Sequence, residues 1–374
     1  MCSYWCVSGW NFAKEFELEL RKVCNMEYLH GGDIYRNQAE YDFSVNINPL
    51  GMPLGSIQAA HEGIVLAGRY PDYKCESLCQ AIASSHSISP EYVLAGNGAA
   101  ELIYNLCYAV NPRKALTLAP TFQEYEKAVN AASGEMEYYY LKEENNFDLQ
   151  YEFVTELFGR VGDLDMVFLC NPNNPTGRVI RKDILLKVLQ TCQDREVYLC
   201  VDESFLPFLE NEDNYSMIDY LESYDKLIIL RSFTKIYGMP GLRLGYALSS
   251  NRKLLENMRE KCQPWSVSVP AQLAGISALK DVDFLEKTKR MIQGEREYLV
   301  RELMPIIAEK YYISYANYIL FKGGADLKVR LLEEGVLIRD CSNFKGLGQG
   351  YYRIAVRSTS ENKELVRRVS KWQR

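Results

Sequence analysis

Between residues 91 and 248, short apolar runs alternate with stretches whose apolar residues recur every three to four positions. Apolar runs bounded by turn signals read as buried strands, and the longer recurrence reads as helix. The pattern predicts strands at 92–95, 115–118, 136–141, 166–170, 197–201, 227–230 and 244–248. Helices are predicted between them at 99–110, 124–132 and 182–192. Strands that alternate with helices build a largely parallel sheet covered on both faces. Ligands of such an α/β fold bind beyond the carboxyl ends of the strands. The polar motifs of this chain fall at those ends.

The flanks have a different texture. Residues 12–24 have helical spacing, His30-Gly31-Gly32-Asp33 is a turn signal, and 42–47 is a short strand pattern running into Asn48-Pro49-Leu50-Gly51. Ser56 is placed to cap a helix running to Ala67, which Arg69-Tyr70-Pro71-Asp72 breaks. The next helix carries Leu78 and Ile82 on one face. After Arg252 come a helix at 253–261, a long helical stretch at 270–309, and strands near 313–321, 336–339 and 352–356 alternating with helices. This divides the chain into an N-terminal segment (1–50) that joins a smaller α+β domain (253–374), and a large domain (51–252). No internal repeat or low-complexity run appears.

Composition narrows the function classes. With 374 residues, 47% of them hydrophobic, the chain can bury a large core. A net charge of −6, from 43 basic and 49 acidic residues, argues against a general nucleic-acid binder. No apolar stretch approaches the ~18 residues of a membrane span, and the first residues lack the basic start and apolar run of a signal peptide. Eleven cysteines, an odd number lying mostly in apolar segments, read as free thiols of a reducing cytoplasm. Cys75 and Cys79 share a helix face without a second pair to complete a metal set, and read as core.

The chemistry concentrates in Leu227–Leu248 and three other loops. Lys235 follows Ser232 and Thr234 in a tight loop, with Arg243 eight positions on. A lysine held between buried strands is partly desolvated, which lowers its pKa and suits imine chemistry. The two hydroxyls and the guanidinium suit a phosphate dianion; a surface lysine in a polar loop is the competing reading. Gly98-Ala99-Ala100 opens a helix and leaves backbone N–H groups for a phosphate, or simply packs tightly. In Asn171-Pro172-Asn173-Asn174-Pro175-Thr176-Gly177 each residue before proline is pushed toward extended geometry, aiming Asn174 over the sheet end. Asp202 ends a strand, where it serves a pyridine nitrogen or caps the following turn.

As a set, N-P-x-N-P-T-G, D-E-x-x, S-x-x-K and G-L-R-x-G-Y resemble, in order, the class I/II aminotransferase superfamily of fold-type I pyridoxal 5'-phosphate (PLP) enzymes, over roughly residues 30–360. The resemblance implies that Lys235 binds PLP covalently, Asp202 pairs with the pyridine nitrogen and Asn174 bonds the ring hydroxyl. It implies that Ser232, Thr234, Arg243 and Gly98-Ala99-Ala100 hold the phosphate and that Phe122 stacks on the ring. Tyr70 is similar to the tyrosine that reaches the cofactor phosphate of a neighbouring subunit, which implies a homodimer. H-G-G-D, D-F-S-V-N-I-N-P-L-G, G-N-G-A-A-E-L-I-Y and Y-R-I-A-V-R are most similar to the threonine-phosphate decarboxylases of cobalamin biosynthesis, with the histidinol-phosphate aminotransferases next. Where the aminotransferases have D-x-x-Y, this chain has Phe205, so one donor to the cofactor's ring oxygen is lost.

The implied substrate is a small phosphorylated amino acid, threonine phosphate or a relative such as phosphoserine. Arg353 matches the arginine that meets the substrate carboxylate, Arg339 a second substrate arginine, and His30 and Asn46 come from the segment that closes over the site. A turn role for His30 and a surface ion pair for Arg357 stay open. His61 and His86 read as structural, and Arg367-Arg368 as a solvated helix face.

Overall fold

The computed structural model describes residues 30–373; the helix expected at 12–24 lies outside them. After a two-residue strand β1 (Tyr41–Asp42), seven strands form the central sheet. They are β2 (Val93–Gly96), β3 (Lys114–Ala119), β4 (Glu135–Tyr140), β5 (Met166–Cys170), β6 (Tyr198–Asp202), β7 (Leu227–Ser232) and β8 (Gly245–Leu248). Their order is β2-β8-β7-β6-β5-β3-β4. Pairings from β4 across to β7 are parallel, whereas β8 runs antiparallel to both β7 and β2. Every residue of β5 and β7 is buried. Helices cover both faces, so these strands read as continuous apolar runs rather than alternating ones.

The helices of this region start and stop close to where their periodicity does. Helix Ala99–Val110 buries Leu102, Ile103, Leu106 and Cys107, and Lys182–Asp194 buries Ile184, Leu185, Val188 and Leu189. Cys75 and Cys79 are core residues, as are Leu78 and Ile82. Helix Glu152–Arg160, which buries Phe153, Val154 and Leu157, lies outside the helices that the pattern predicts.

A second sheet contains β9 (Lys310–Tyr311), β10 (Tyr318–Lys322), β12 (Arg339–Asp340) and β13 (Tyr351–Ala355), ordered β12-β13-β10-β9 and antiparallel throughout. Between β10 and β12, β11 (Val336–Leu337) pairs in parallel with β1. The register sets Arg339 directly opposite Arg353. Helix Leu54–Val65 packs on helix Val269–Ala278 so closely that a Cβ on Gly63 would lie 2.5 Å from the Cα of Pro270.

Residues 43–48 are bonded to the small sheet and to the helical turn that follows β7. The Phe43 carbonyl accepts from Ala355 N (2.8 Å), while Asn48 N donates to the Lys235 carbonyl (3.0 Å). The Asn48 amide also donates to the carbonyl of Ile236 (2.6 Å) and to Thr288 Oγ1 (2.7 Å). Because these backbone groups pair elsewhere, the ladder spans Tyr41–Asp42 and takes in only Asp42 of the strand expected at 42–47.

Four further expectations change. Ser56 does not cap its helix; the helix begins at Leu54 after Pro53, and Ser56 is buried within it. The stretch 270–309 is broken, because the Asp281 carboxylate accepts from Phe284 N and starts a new helix, Val282–Glu302. The strand expected at 313–321 is shorter, with Ile313 exposed before β10. Arg367 is solvated, but Arg368 is largely covered, ion-paired to Glu364 and Glu40 and set 4.8 Å over the Tyr41 ring. Arg357 pairs with Glu361 (2.6 Å), and His86 is a structural residue bonded to Tyr246 OH (2.7 Å). Among the described residues no helix is long and apolar enough to cross a membrane.

Candidate active site

The carboxyl ends of β2, β3, β5, β6 and β7 open on one cavity of about 550 Å³. Each strand end hands over polar groups as its ladder stops. Lys235, Asp202, Asn174, Ser232, Thr234, Arg243, Phe122, Ala99, Ala100, His30, Asn46, Arg339 and Arg353 all line it. Of the residues singled out in the sequence, Tyr70 stands apart. It is 76% exposed and stacked on Trp265 at 4.4 Å, outside the cavity of its own chain.

Lys235 sits not in an open loop but in the helical turn Phe233–Ile236, capped by Ser232, whose hydroxyl accepts from Thr234 N (3.2 Å). Burial lowers its pKa from 10.5 to about 8, and the charges of Arg243 and Arg353 push the same way while Asp202 opposes them. Ser232 Oγ and Thr234 Oγ1 lie 2.6 Å apart. Arg243 takes a left-handed backbone (φ 56°), a conformation unusual for a branched-chain-sized residue and one that aims its guanidinium at Gly98. Gly98 has φ 85°, and a Cβ there would lie 2.6 Å from Arg243 Nη2. Glycine at this position is therefore what lets helix 99–110 present its first N–H groups beside a guanidinium.

The loop after β5 is fixed from within. The Asn173 amide donates to the Pro120 carbonyl (2.9 Å) and to Thr176 Oγ1 (3.0 Å), and its Oδ1 accepts from Thr121 (2.7 Å). This leaves Asn174 facing the cavity, where its Oδ1 accepts from Arg353 Nη1. Arg353 is buried, donates through Nη2 to the Ser44 carbonyl (2.9 Å) and lies 5.3 Å over the Tyr318 ring. Burial lowers even this guanidinium, to about 10. Its Nε, and Oδ1 of the buried Asn46, have no hydrogen-bond partner among the described residues. Arg339 is held by the Asp340 carbonyl (2.6 Å) and Asn343 Oδ1 (2.8 Å) and lies over the Phe344 ring.

Three groups here escaped the sequence reading. Tyr125 OH donates to Asp202 Oδ2 (2.7 Å), while Asp202 Oδ1 accepts from Ser204 N (3.0 Å), so both carboxylate oxygens are oriented. Tyr125 is fully buried, and burial then the Asp202 charge raise its pKa well above 10, keeping it a donor. Glu124 gathers His30 Nε2 (3.1 Å), Lys127 Nζ (2.6 Å) and Tyr104 OH (3.1 Å) at the cavity mouth. The hydrogen bond from His30, and after it Lys127, hold that carboxylate at about 2 against the effect of burial. Cys170 also lines the cavity, and Phe205 lies edge-on to Tyr318 (5.0 Å) where a tyrosine hydroxyl would have been a donor.

These residues fit PLP. A neutral-prone amine, a strand-end carboxylate with fixed oxygens, and a glycine cradle facing an arginine and two hydroxyls are what its aldehyde, ring nitrogen and phosphate need.

Comparison with known proteins agrees. The chain is 36% identical over 328 residues to the threonine-phosphate decarboxylase of Salmonella typhimurium, covering 87% of this chain and 89% of that one. The structure of the histidinol-phosphate aminotransferase from Clostridium acetobutylicum superposes with a TM-score of 0.82 at 30% identity, over 89% of this chain and 99% of that one. That of L-threonine-O-3-phosphate decarboxylase from Porphyromonas gingivalis gives 0.76 at 25% identity, over 88% and 98%. Residues 41–369 match the family described as aminotransferase class I and II. With the motifs, the fold and the cavity in agreement, the chain belongs to the class I and II aminotransferase family and is a PLP-dependent enzyme of fold type I.

Proposed function

We propose that this enzyme decarboxylates L-threonine O-3-phosphate, or a close relative such as O-phosphoserine, to the amino-alcohol phosphate, (R)-1-amino-2-propanol O-2-phosphate for the threonine compound, as a step toward the cobalamin side chain. The observation that carries the reading is the direct opposition of Arg339 and Arg353 across an antiparallel pair at the cavity wall. Like charges set opposite each other are destabilising unless an anion lies between or beside them. A substrate with a carboxylate and a phosphate supplies two. The similarity to threonine-phosphate decarboxylases and Phe205 in place of the aminotransferase tyrosine point the same way.

Bound PLP supplies an electron sink for the bond broken at the substrate's α-carbon. The chain's own residues decide which bond that is. Arg353, fixed by Asn174, Ser44 and the Tyr318 ring, would take the substrate carboxylate and hold it in one orientation. Asp202 would hold the proton on the ring nitrogen, and Ser232, Thr234, Arg243 and the Gly98-Ala99-Ala100 turn would hold the cofactor phosphate. Asn174 meets the ring hydroxyl and Phe122 the ring face. With its lowered pKa, Lys235 delivers a proton to the α-carbon after carbon dioxide leaves. His30 and Asn46 close the substrate side, and the orphaned Asn46 Oδ1 is an acceptor awaiting a donor there. Arg339 takes the second anionic group.

We further propose a homodimer in which Tyr70 completes the neighbouring site, since the exposed Tyr70 finds no place in the cavity of its own chain. The test is to supply the purified protein with PLP and O-phospho-L-threonine, without any oxo acid, and follow carbon dioxide. Catalytic release supports the decarboxylase. No release, with turnover once histidinol phosphate and 2-oxoglutarate are present, overturns it in favour of an aminotransferase, the reading favoured by the TM-score of 0.82.

A further inference from the structure

Behind the cofactor cavity lies an ion pair that the chemistry does not use. Glu203 is wholly buried and Arg231 nearly so, yet they sit on adjacent strand ends, 2.7 Å apart from Nη2 to Oε2. Arg231 donates to the same oxygen from Nε (3.1 Å) and, through Nη1, to Glu212 (3.0 Å). Glu203 also accepts from Ser216 Oγ (2.9 Å) and Met217 N (2.7 Å). Lys289 stands 3.7 Å from the far oxygen of Glu212.

The position of the pair follows from strand geometry. Successive residues of a strand point to opposite faces. Asp202 and Glu203 leave β6 back to back, as Arg231 and Ser232 do at the end of β7. Asp202 and Ser232 therefore line the cofactor cavity, while Arg231 reaches a second cavity of about 420 Å³, which Ser232 also borders. The strands remain paired to this point, with Asp202 beside Leu230 and Glu203 N donating to the Leu230 carbonyl (2.8 Å). Beyond it there is no further ladder between them, and the side-chain pair is the next tie across the gap.

We propose that Glu203 and Arg231 are positioning residues: a clamp on the rear of the sheet that sets the spacing between the Asp202 carboxylate and the Ser232 hydroxyl, so that the two match the fixed distance between the ring nitrogen and the phosphate of PLP. The proposal rests on the reading that Asp202 and Ser232 hold PLP. It also explains why a costly buried pair is kept here, where apolar residues of similar size would serve stability equally well or better.

That cost supplies the test. Replacing both members with apolar residues removes no net charge and, for buried pairs, is often neutral or stabilising, whereas removing one member leaves a buried charge. The double variant Glu203→Met/Arg231→Met is compared with wild type, Arg231→Lys, Glu203→Gln and Ser232→Ala. Each full-length protein is stripped of cofactor and titrated with PLP, recording the dissociation constant, the visible circular dichroism of the bound cofactor, and Tm. The clamp predicts that the double variant keeps its Tm within a few degrees while its PLP dissociation constant rises about tenfold and the dichroism weakens. Arg231→Lys, which keeps the charge but not the two-point grip, shows a smaller loss of the same kind. Wild-type affinity and dichroism in both variants overturn the clamp, as does tighter PLP binding by Glu203→Gln, which would mean that Arg231 acts only by its charge. Unchanged affinity in Ser232→Ala refutes instead the underlying assignment of the phosphate site.

Discussion

Lys235 should make the cofactor-free protein less stable at neutral pH, and substitution of the lysine should reveal by how much. Its pKa falls from 10.5 to about 8 when the chain folds, because burial and two neighbouring arginines disfavour the ammonium. A tenfold change in proton affinity corresponds to about 1.4 kcal/mol, so the upper bound on the cost of folding with this lysine charged is roughly 3.5 kcal/mol. The cavity admits water, which screens the charge, and a cost of about 1–2 kcal/mol is the working figure. The sign follows from proton counting. Below about pH 8 both folded and unfolded chains carry the proton and the whole penalty is present. Between 8 and 10.5 the unfolded chain binds more protons, so stability rises with pH; above 10.5 the lysine is neutral in both states and the penalty is gone. Lys235→Met in the cofactor-free protein should therefore have a higher Tm than wild type at pH 7, and the two melting curves should converge as pH approaches 10. The assay is thermal denaturation of both proteins across pH 6.5–10, followed by circular dichroism. Parallel Tm profiles, with a constant offset at every pH, would refute the idea that this lysine is held in a desolvated, positively charged setting.

Other consequences can be checked independently. Lys235→Ala abolishes carbon dioxide release while leaving the fold intact by circular dichroism; retained turnover would remove the lysine from the chemistry. Arg353→Ala raises the substrate KM by about tenfold to a hundredfold, the loss of a charge-assisted contact worth roughly 1.5–3 kcal/mol, with little change in PLP affinity; equal losses of both would show that Arg353 is not the substrate anchor. Gly98→Ala forces an L-residue to φ 85°, at a cost of about 1–2 kcal/mol, and pushes Arg243 Nη2 aside, so PLP titration should show about tenfold weaker binding. Tyr125→Phe removes the donor to Asp202 and should weaken PLP binding several-fold, consistent with about 1 kcal/mol for one hydrogen bond.

Much of this was legible in the chain because parallel strands buried on both faces write long apolar runs that stop abruptly at polar residues. Asp202, Asn174 and Ser232 stand at such stops, and all three face the cavity. What escaped was contact between distant parts of the chain. Tyr125 meets Asp202 across 77 residues, and nothing local to helix 124–131 says so. A signal did exist: a tyrosine on the apolar face of a helix that follows a strand end needs a partner for its hydroxyl. The Glu124 cluster with His30 and Lys127 was hidden for the same reason, since glutamate and lysine three apart on a helix look like an ordinary surface pair. Asp281 was overlooked inside a run of helix-forming residues, although an aspartate is what begins a helix as readily as it decorates one.

The stretch from Phe43 to Asn48 ties β13, which carries Arg353, to the turn that carries Lys235. Six residues of chain thus act as a ruler between the group proposed to orient the substrate carboxylate and the group proposed to return the proton. One residue inserted or deleted between 43 and 48 would move the Ser44 carbonyl that holds Arg353 relative to the bonds that Asn48 makes at the Lys235 turn. For engineering, that makes the length of the segment a variable separate from the identity of either residue.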